Sequence, residues 1–481
     1  MKDQNQLINE IIARQHQSES LEVPFTDRRF LLKIVNNYTD TFLTKLSVEK
    51  AYEKEGYEKS EEDEQLEINN KSNSIQDLLH LVESRVDKPG LNPASGRHFG
   101  YIPGGGLYAS ALGDYIAAIT NRYAGVFYAS PGAVRLENSL IRWTGNLIGY
   151  KGDFAGNLTS GGSYANLIAL FTAKTAHKIK GKDLENAVIY VCRQAHHSIL
   201  KALKVTGLDE CVIRIIDMDN NFKMDLKTLK NQLKEDVGKG LKPFLLCANA
   251  GSTDMGAIDP LFEMAAIAKR SKMWFHVDAA YGGFFILTKD GKEKLKGIEL
   301  ADSVIMDPHK GLFIPYGLGI LLVKNAKHLL EANSFDANYM QDTKTSELEY
   351  SPNQLSPELS KHFRGMRMWL PLKLHGTLPF AASLEEKILL THYFYQKVKE
   401  LGFKTGPFPD LSIVVFWYEP AMGDINEYNK RILKTIQEDG NVFISSTLID
   451  GKFLLRFAAL SFRTHLKEVN ALLKILGDCV S

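Results

Sequence analysis

Five short runs between residues 187 and 307 constrain this chain more than anything else in it. AVIYVC (187–192), CVIRIID (211–217), PFLLCANAG (243–251), MWFHVDAAYGG (273–283) and SVIMD (303–307) are apolar almost throughout, not at alternate positions only. A strand that is apolar on both faces has to be covered on both faces. SYANLIALFTAKTAHKI, HSILKALKVTG and DPLFEMAAIAKRS read as helices between some of these runs. Such alternation predicts an α/β fold, with a mainly parallel sheet between two helical layers. GILLVK (319–324) reads as a late strand beside it.

The flanks have a different texture. FTDRRFLLKIVNNYTDTFLTKL has apolar residues at three- and four-residue spacing, so the chain begins with helices. The charge-rich YEKSEEDEQLEINNKSNS (57–74) interrupts them and reads as a loop or a frayed helix end. After about residue 375 the pattern resets. SIVVFWYE and FLLRFAAL read as antiparallel strands, with helices around 382–400, 424–439 and 464–477. A chain of 481 residues is too long for one core. The expected organisation is a helical segment (1–95), a large α/β domain (96–375) and a smaller α+β domain (376–481).

Bulk properties exclude several classes. The formal net charge is +1, so no overall field draws the chain to nucleic acid or to an acidic membrane. Cys192, Cys211, Cys247 and Cys479 form no CxxC pair and read as free thiols, as in a reducing cytoplasm. MKDQNQLINEIIARQHQ lacks the apolar centre of a signal peptide. The longest apolar stretch, YASALGDYIAAITNRYAGVFYASPGAV, is broken by Asp114 and Arg122 and makes a poor membrane span. A cytoplasmic location with no membrane or nucleic-acid partner is expected.

Ligands of open α/β sheets sit beyond the carboxyl ends of the strands. TSGGSYANL (159–167) puts Gly161, Gly162 and Ser163 just before a helix, where free N–H groups can receive a phosphate. Alone, such a turn is more often a plain helix start, and it matches neither GxGxxG nor GxxxxGK[ST]. RQAHHSI offers His196 and His197, of which one is expected to face a ligand. Asp278 ends a very apolar strand, where a carboxylate needs a partner. The two alanines after it leave room for a flat group. Lys310, in DPHKGLFIPYG, follows the apolar SVIM. A desolvated lysine becomes a usable nucleophile, and the flanks favour that over an ordinary surface amine. An anion cradle, a flat-ring wall, a carboxylate and an amine together suit pyridoxal 5′-phosphate (PLP), with no metal.

These stretches, with GYIPGGG, ASPGAVRLEN, QAHHS, HVDAAYGG, DPHK, FRGMRMW and LRFAALSFRT, resemble the group II PLP-dependent amino-acid decarboxylases from about residue 95 to the C-terminus. The resemblance implies fold type I, the aspartate aminotransferase class, with a seven-stranded sheet in the large domain. It implies that Lys310 carries PLP as a Schiff base, that Asp278 pairs with the ring nitrogen and that His196 stacks on the ring. Gly161, Gly162 and Ser163 would hold the phosphate, with Asp307 and His309 beside it. Asn249 and Ala280 would line the cofactor. The polar stretch SFDANYMQDTKTSELEYSPNQ (334–354) would be a lid whose Tyr339 protonates the α-carbon after CO₂ leaves. A homodimer with shared sites is implied, its N-terminal helices packed across the partner.

The implied activity is decarboxylation of an amino acid, aromatic by the nearest resemblance. An aldehyde synthase or a carbon–carbon lyase on the same fold is the alternative, and an inactive regulatory protein a remote one. Tyr101, Tyr123, Phe127 and Phe313 are candidate aromatic walls or core. Three positions depart from the pattern. Gly311 stands where many members have Trp, Gly104 where aromatic decarboxylases have Thr, and Gly125 where they have Phe. A reshaped, roomier substrate pocket is the expectation.

Overall fold

The computed structural model describes residues 3–54, 61–334 and 349–480. They form two compact units, Met1–Asn92 and Pro93–Ser481.

The first unit is helical, as its spacing predicts. Helices Gln4–Ser18 and Phe25–Lys45 are followed by β1 (Tyr52–Glu53), then helix Ile75–Val82 and β2 (Gly90–Leu91), which pairs antiparallel with β1. The Ser74 hydroxyl accepts the Asp77 N–H at 3.1 Å and starts the helix Ile75–Val82. None of these three helices buries a residue. Leu7, Ile8, Ile11 and Ile12 share one exposed apolar face.

The second unit contains two sheets. After β3 (His98–Phe99) come the strands of the larger one: β4 (Ala155–Thr159), β5 (Ala187–Cys192), β6 (Val212–Ile216), β7 (Lys242–Asn249), β8 (Trp274–Asp278), β9 (Ser303–Met306) and β10 (Gly319–Val323). Their order is β4-β10-β9-β8-β7-β5-β6. Only β10 runs against its neighbours. The expected seven-stranded, mainly parallel sheet is therefore present. Successive residues point to opposite faces, and both faces are apolar. Val188, Leu246, Val277, Val304 and Leu322 pack on one side, and Ile189, Leu245, Ile305 and Leu321 on the other. In register, Asn249 stands opposite Asp278, and Asp278 opposite Ile305. Three neighbouring strands thus end together.

The smaller sheet adds β11 (Lys404–Thr405), β12 (Ile413–Trp417), β13 (Phe443–Ile449) and β14 (Lys452–Ala458), in the order β11-β12-β14-β13-β3. The expected antiparallel pair is found, with Ile413 opposite Ala458. Two members carried no signal. β13 has a polar centre (FISSTLI), and β3 has only two residues, which pair parallel to Phe443 and Ile444. No described helix is long and apolar enough to cross a membrane.

Candidate active site

Segments following β4, β5, β7, β8 and β9 meet around one cavity of about 880 Å³. Gly161, Gly162 and Ser163 line it from the start of the helix Gly162–Ala176. His196 lines it from the turn after β5, while His197 begins the next helix. Asn249 and Asp278 contribute from the ends of β7 and β8, with Ala280 just beyond. Asp307, His309 and Lys310 come from the turn after β9. The cavity therefore brings together every expected cofactor residue. Tyr339 falls outside the described residues.

Asp278 is 8% exposed, and both its oxygens are held. Oδ1 accepts the Ala280 N–H at 3.1 Å, and Oδ2 accepts an Asn166 side-chain N–H at 2.9 Å. Asn249 is fixed by Asp259, which accepts its backbone N–H at 2.7 Å and its side-chain N–H at 3.1 Å. The His196 Nδ1 lies 2.7 Å from the Ser198 hydroxyl and accepts the Ser198 N–H at 3.2 Å, capping the helix His197–Val205. Burial pulls the His196 pKa down, against the opposing pull of Asp278.

Lys310 sits on a single helical turn, Pro308–Gly311, one step past β9 rather than on the strand itself. Its Nζ is 3.2 Å from Asp307 Oδ2, and its side chain is 24% exposed. It is an amine on a cavity wall with one carboxylate partner, where the sequence suggested a sealed one. The other Asp307 oxygen, Oδ1, is buried with no partner. His309 donates Nδ1–H to the Leu318 carbonyl at 2.6 Å, which fixes its ring. Burial lowers its pKa.

The glycine turn is tightly built. Gly161 has φ +153°, a conformation that favours glycine. A Cβ on Gly162 would lie 2.9 Å from Asp307 Oδ2. The N-terminus of the helix Gly162–Ala176 lies on the cavity wall, where backbone N–H groups can receive an anion.

Sequence reasoning missed two residues. Asn166 is a buried polar residue inside the apolar helix Gly162–Ala176, one turn past Gly162. Arg456 is a charge inside the apolar strand β14. Its guanidinium donates to the carbonyls of Thr253 (2.8 Å), Asp254 (3.1 Å) and Tyr101 (3.1 Å), tying the smaller sheet to the cavity rim. In both cases the signal was one polar side chain among apolar neighbours.

The model of the pyridoxal-dependent decarboxylase conserved domain matches residues 56–419. The chain belongs to that family. The decarboxylase is 34% identical over 401 residues to the aromatic-L-amino-acid decarboxylase of Bacillus atrophaeus, across 82% of this chain and 83% of the relative. It is 28% identical to phenylacetaldehyde synthase of Arabidopsis thaliana, across 84% and 86%. The crystal structure of Oryza sativa TDC with PLP and tryptamine superposes with a TM-score of 0.89 at 22% identity, covering 95% of this chain and 98% of the other, a likeness of fold. The protein is a PLP-dependent carboxy-lyase. Its cavity fits the cofactor: it presents a lysine amine, a carboxylate with both oxygens already accepting N–H groups, an imidazole, and a glycine turn that side chains would fill.

The roomier pocket does not follow from the three glycines. A Cβ on Gly104 would lie 2.6 Å from the His309 carbonyl oxygen and 2.9 Å from that of Lys310. On Gly125 it would meet the Leu359 carbonyl oxygen at 2.1 Å, and on Gly311 the Phe284 Cβ at 2.7 Å. None of the three is among the described residues lining the cavity. They are glycines because main chain or core packs against them. Of the candidate aromatic walls, only Tyr101 lines the cavity. Phe313 is core, stacked on Phe380, and Phe127 is buried beneath Arg135.

Proposed function

We propose that this decarboxylase acts on an aromatic L-amino acid and that the cavity residues divide the work. Lys310 holds PLP through its amine, and Asp307 is the counter-ion of that amine until it reacts. Asp278 accepts the ring N–H. His196 lies against the ring face. Gly161, Gly162 and Ser163 receive the phosphate, with Asp307 and His309 beside it, and Asn249 and Ala280 complete the wall. PLP, when bound, supplies a sink for the electron pair that CO₂ leaves behind. The negative charge of Asp278 favours a protonated ring nitrogen, which deepens that sink. Tyr339 delivers a proton to the α-carbon, and the product is the amine.

The observation that carries this reading is the meeting of Asp278 and Lys310, from the ends of neighbouring strands, at one cavity that His196 also lines. The aromatic preference is supported by Tyr101, 58% exposed at the rim, and by what the similar proteins are named for. A homodimer is supported by exposed apolar faces. Tyr108, Leu112, Tyr115, Ile116 and Ile119 are all at least 40% exposed on the helix Tyr108–Thr120. Contiguous exposed apolar surface of this kind marks interaction sites.

The test is a CO₂-release screen of the PLP-loaded protein with the common L-amino acids and cysteine sulfinate. Phenylalanine, tyrosine or tryptophan should turn over fastest, and an acidic substrate in first place would sink the aromatic reading. The synthase alternative is separated by products. There, amino acid, O₂ and water give aldehyde, CO₂, ammonia and hydrogen peroxide. Wild type should give amine without peroxide, and Tyr339→Phe should divert part of the flux to aldehyde and peroxide, because the phenolic proton is gone. Unchanged amine yield in the variant would remove Tyr339 from the mechanism.

A further inference from the structure

The hydrogen bond that Asn166 gives Asp278 is the last link of a buried chain. Asn166, His276 and Ser303 are 0% exposed, and Trp274 and Ser198 are 2% exposed. The Trp274 indole N–H donates to the Ser303 hydroxyl at 2.8 Å. Ser303 Oγ lies 2.8 Å from His276 Nδ1, and His276 Nε2 lies 2.9 Å from Asn166 Oδ1. The Asn166 amide N–H groups then reach both Asp278 Oδ2 and Ser198 Oγ at 2.9 Å.

Donor chemistry fixes the direction of every link. An amide oxygen only accepts, so His276 carries its proton on Nε2. Nδ1 of the neutral ring then accepts from Ser303, whose oxygen is free to take the indole N–H. Burial keeps His276 neutral, with its pKa lowered to about 4. With Oδ1 committed to His276, the Asn166 nitrogen must face Asp278 and Ser198. Ser198 then turns its own hydroxyl hydrogen toward His196 Nδ1. A flipped Asn166 would put a carbonyl against a carboxylate, which only accepts.

We propose that Asn166, oriented by the His276–Ser303–Trp274 chain, is a positioning residue that sets the hydrogen-bond polarity of two cofactor contacts at once, holding Asp278 as a pure acceptor and His196 in its Nε2–H form. The proposal rests on Asp278 and His196 being those contacts. Because β8 supplies Trp274, His276 and Asp278 alike, the strand that bears the carboxylate also bears most of the device that orients it.

The test uses PLP affinity, measured by equilibrium dialysis of the full-length protein, on Asn166→Ala, Asp278→Asn and the double variant. A hydrogen bond to a charged group is lost in Asn166→Ala, so affinity should fall about tenfold or more. In the Asp278→Asn background the same change should cost less than about twofold, because the acceptor it serves has lost its charge. Equal losses in both backgrounds would mean that Asn166 acts only through general packing, which overturns the proposal. If Asp278→Asn alone changes neither affinity nor turnover, the ring-contact reading of Asp278 fails and the proposal falls with it. His276→Gln, whose amide can still donate to Asn166, should stay near wild type where His276→Leu does not. Should the Asn166 variant not fold, ¹⁵N spectra of histidine-labelled wild type decide. His276 and His196 should both be neutral with the proton on Nε2, and a proton on Nδ1 of His276 overturns the assignment.

Discussion

Lys361 and Lys310 end in the same ammonium group beside a buried carboxylate, yet they are built in opposite ways. The Lys361 side chain is fully buried, and its tip is spoken for. Nζ donates to Glu137 Oε2 at 2.7 Å, to Asn157 Oδ1 at 3.1 Å and to the Leu158 carbonyl at 3.4 Å. Three acceptors for three N–H groups leave nothing for a ligand. Lys310 is fixed at its base instead. Its N–H bonds the Asp307 carbonyl at 3.0 Å, its carbonyl accepts the Phe313 N–H at 3.2 Å, and Phe313 in turn holds the Leu107 N–H at 2.9 Å. The tip has one partner, Asp307, and faces the cavity. Burial of an amine is therefore not the mark of a reactive one. On the role proposed for Lys310, a rigid backbone carrying an under-coordinated tip is.

The largest expected effects follow from exchanging the two. Lys310→Ala should lower turnover on the order of a thousandfold or more, since the proposed covalent anchor is lost. Borohydride should no longer fix PLP to the chain. Lys361→Met should do the reverse. It strands Glu137 as a buried, unpaired charge, at a cost of about 3–5 kcal/mol of stability. Lys361→Met combined with Glu137→Leu should recover most of that. Borohydride trapping of PLP on the folded Lys361 variant should match wild type. Peptide mapping after reduction, alongside urea unfolding, checks both halves. PLP trapped on a peptide other than that of Lys310 would break the comparison.

The contrast also shows what the sequence could and could not disclose. The continuous apolar strands made the sheet legible, because two-sided burial leaves a composition that no surface strand has. The residues that meet at the cavity were legible because sheet topology dictates where they lie, at the ends of β7, β8 and β9. Contacts that depend on the third dimension were hidden. Nothing near Lys361 or Glu137 in the chain announces that they meet. β3 is too short for any period to register. Gly104 reads as a missing side chain in a pocket until the Lys310 turn is seen lying against it.

A smaller effect concerns groups that stay neutral rather than paired. Burial pulls both His98 and His276 from 6.5 down to about 4. Between those values the unfolded chain binds more protons than the native one, so stability falls as pH drops from 6.5 toward 4 and then levels off. Asp259 works the other way. Burial pushes its carboxyl from 3.8 up to about 6, so the native state gains on the unfolded one as pH falls through that window. Comparing wild type with His276→Gln cancels the other groups. Acidification from pH 7 to 4 should cost wild type about 3 kcal/mol more than the variant. Urea midpoints at several pH values measure it, and parallel pH curves would show that His276 takes up its proton as readily in the native protein as in the unfolded chain.

Gly104→Ala has the smallest expected effect and bears most directly on how Lys310 is held. The new methyl would point into the backbone of the Lys310 turn, 2.6 Å from the His309 carbonyl oxygen and 2.8 Å from the Phe313 Cα. Main chain cannot swing aside as a long side chain can, so the turn must shift as a body. Overpacking of this kind costs about 1–3 kcal/mol. Because the turn carries the amine, the displacement should also reach the cavity, so PLP affinity should weaken together with the melting temperature. A substituent that merely narrowed a substrate pocket would behave differently: melting temperature and PLP affinity would hold, and KM would rise most for the largest side chains. Melting curves, PLP dialysis and KM for phenylalanine and tryptophan on this one variant separate the two. A loss confined to KM would return Gly104 to the pocket and take away the clamp on which the contrast between the two lysines depends.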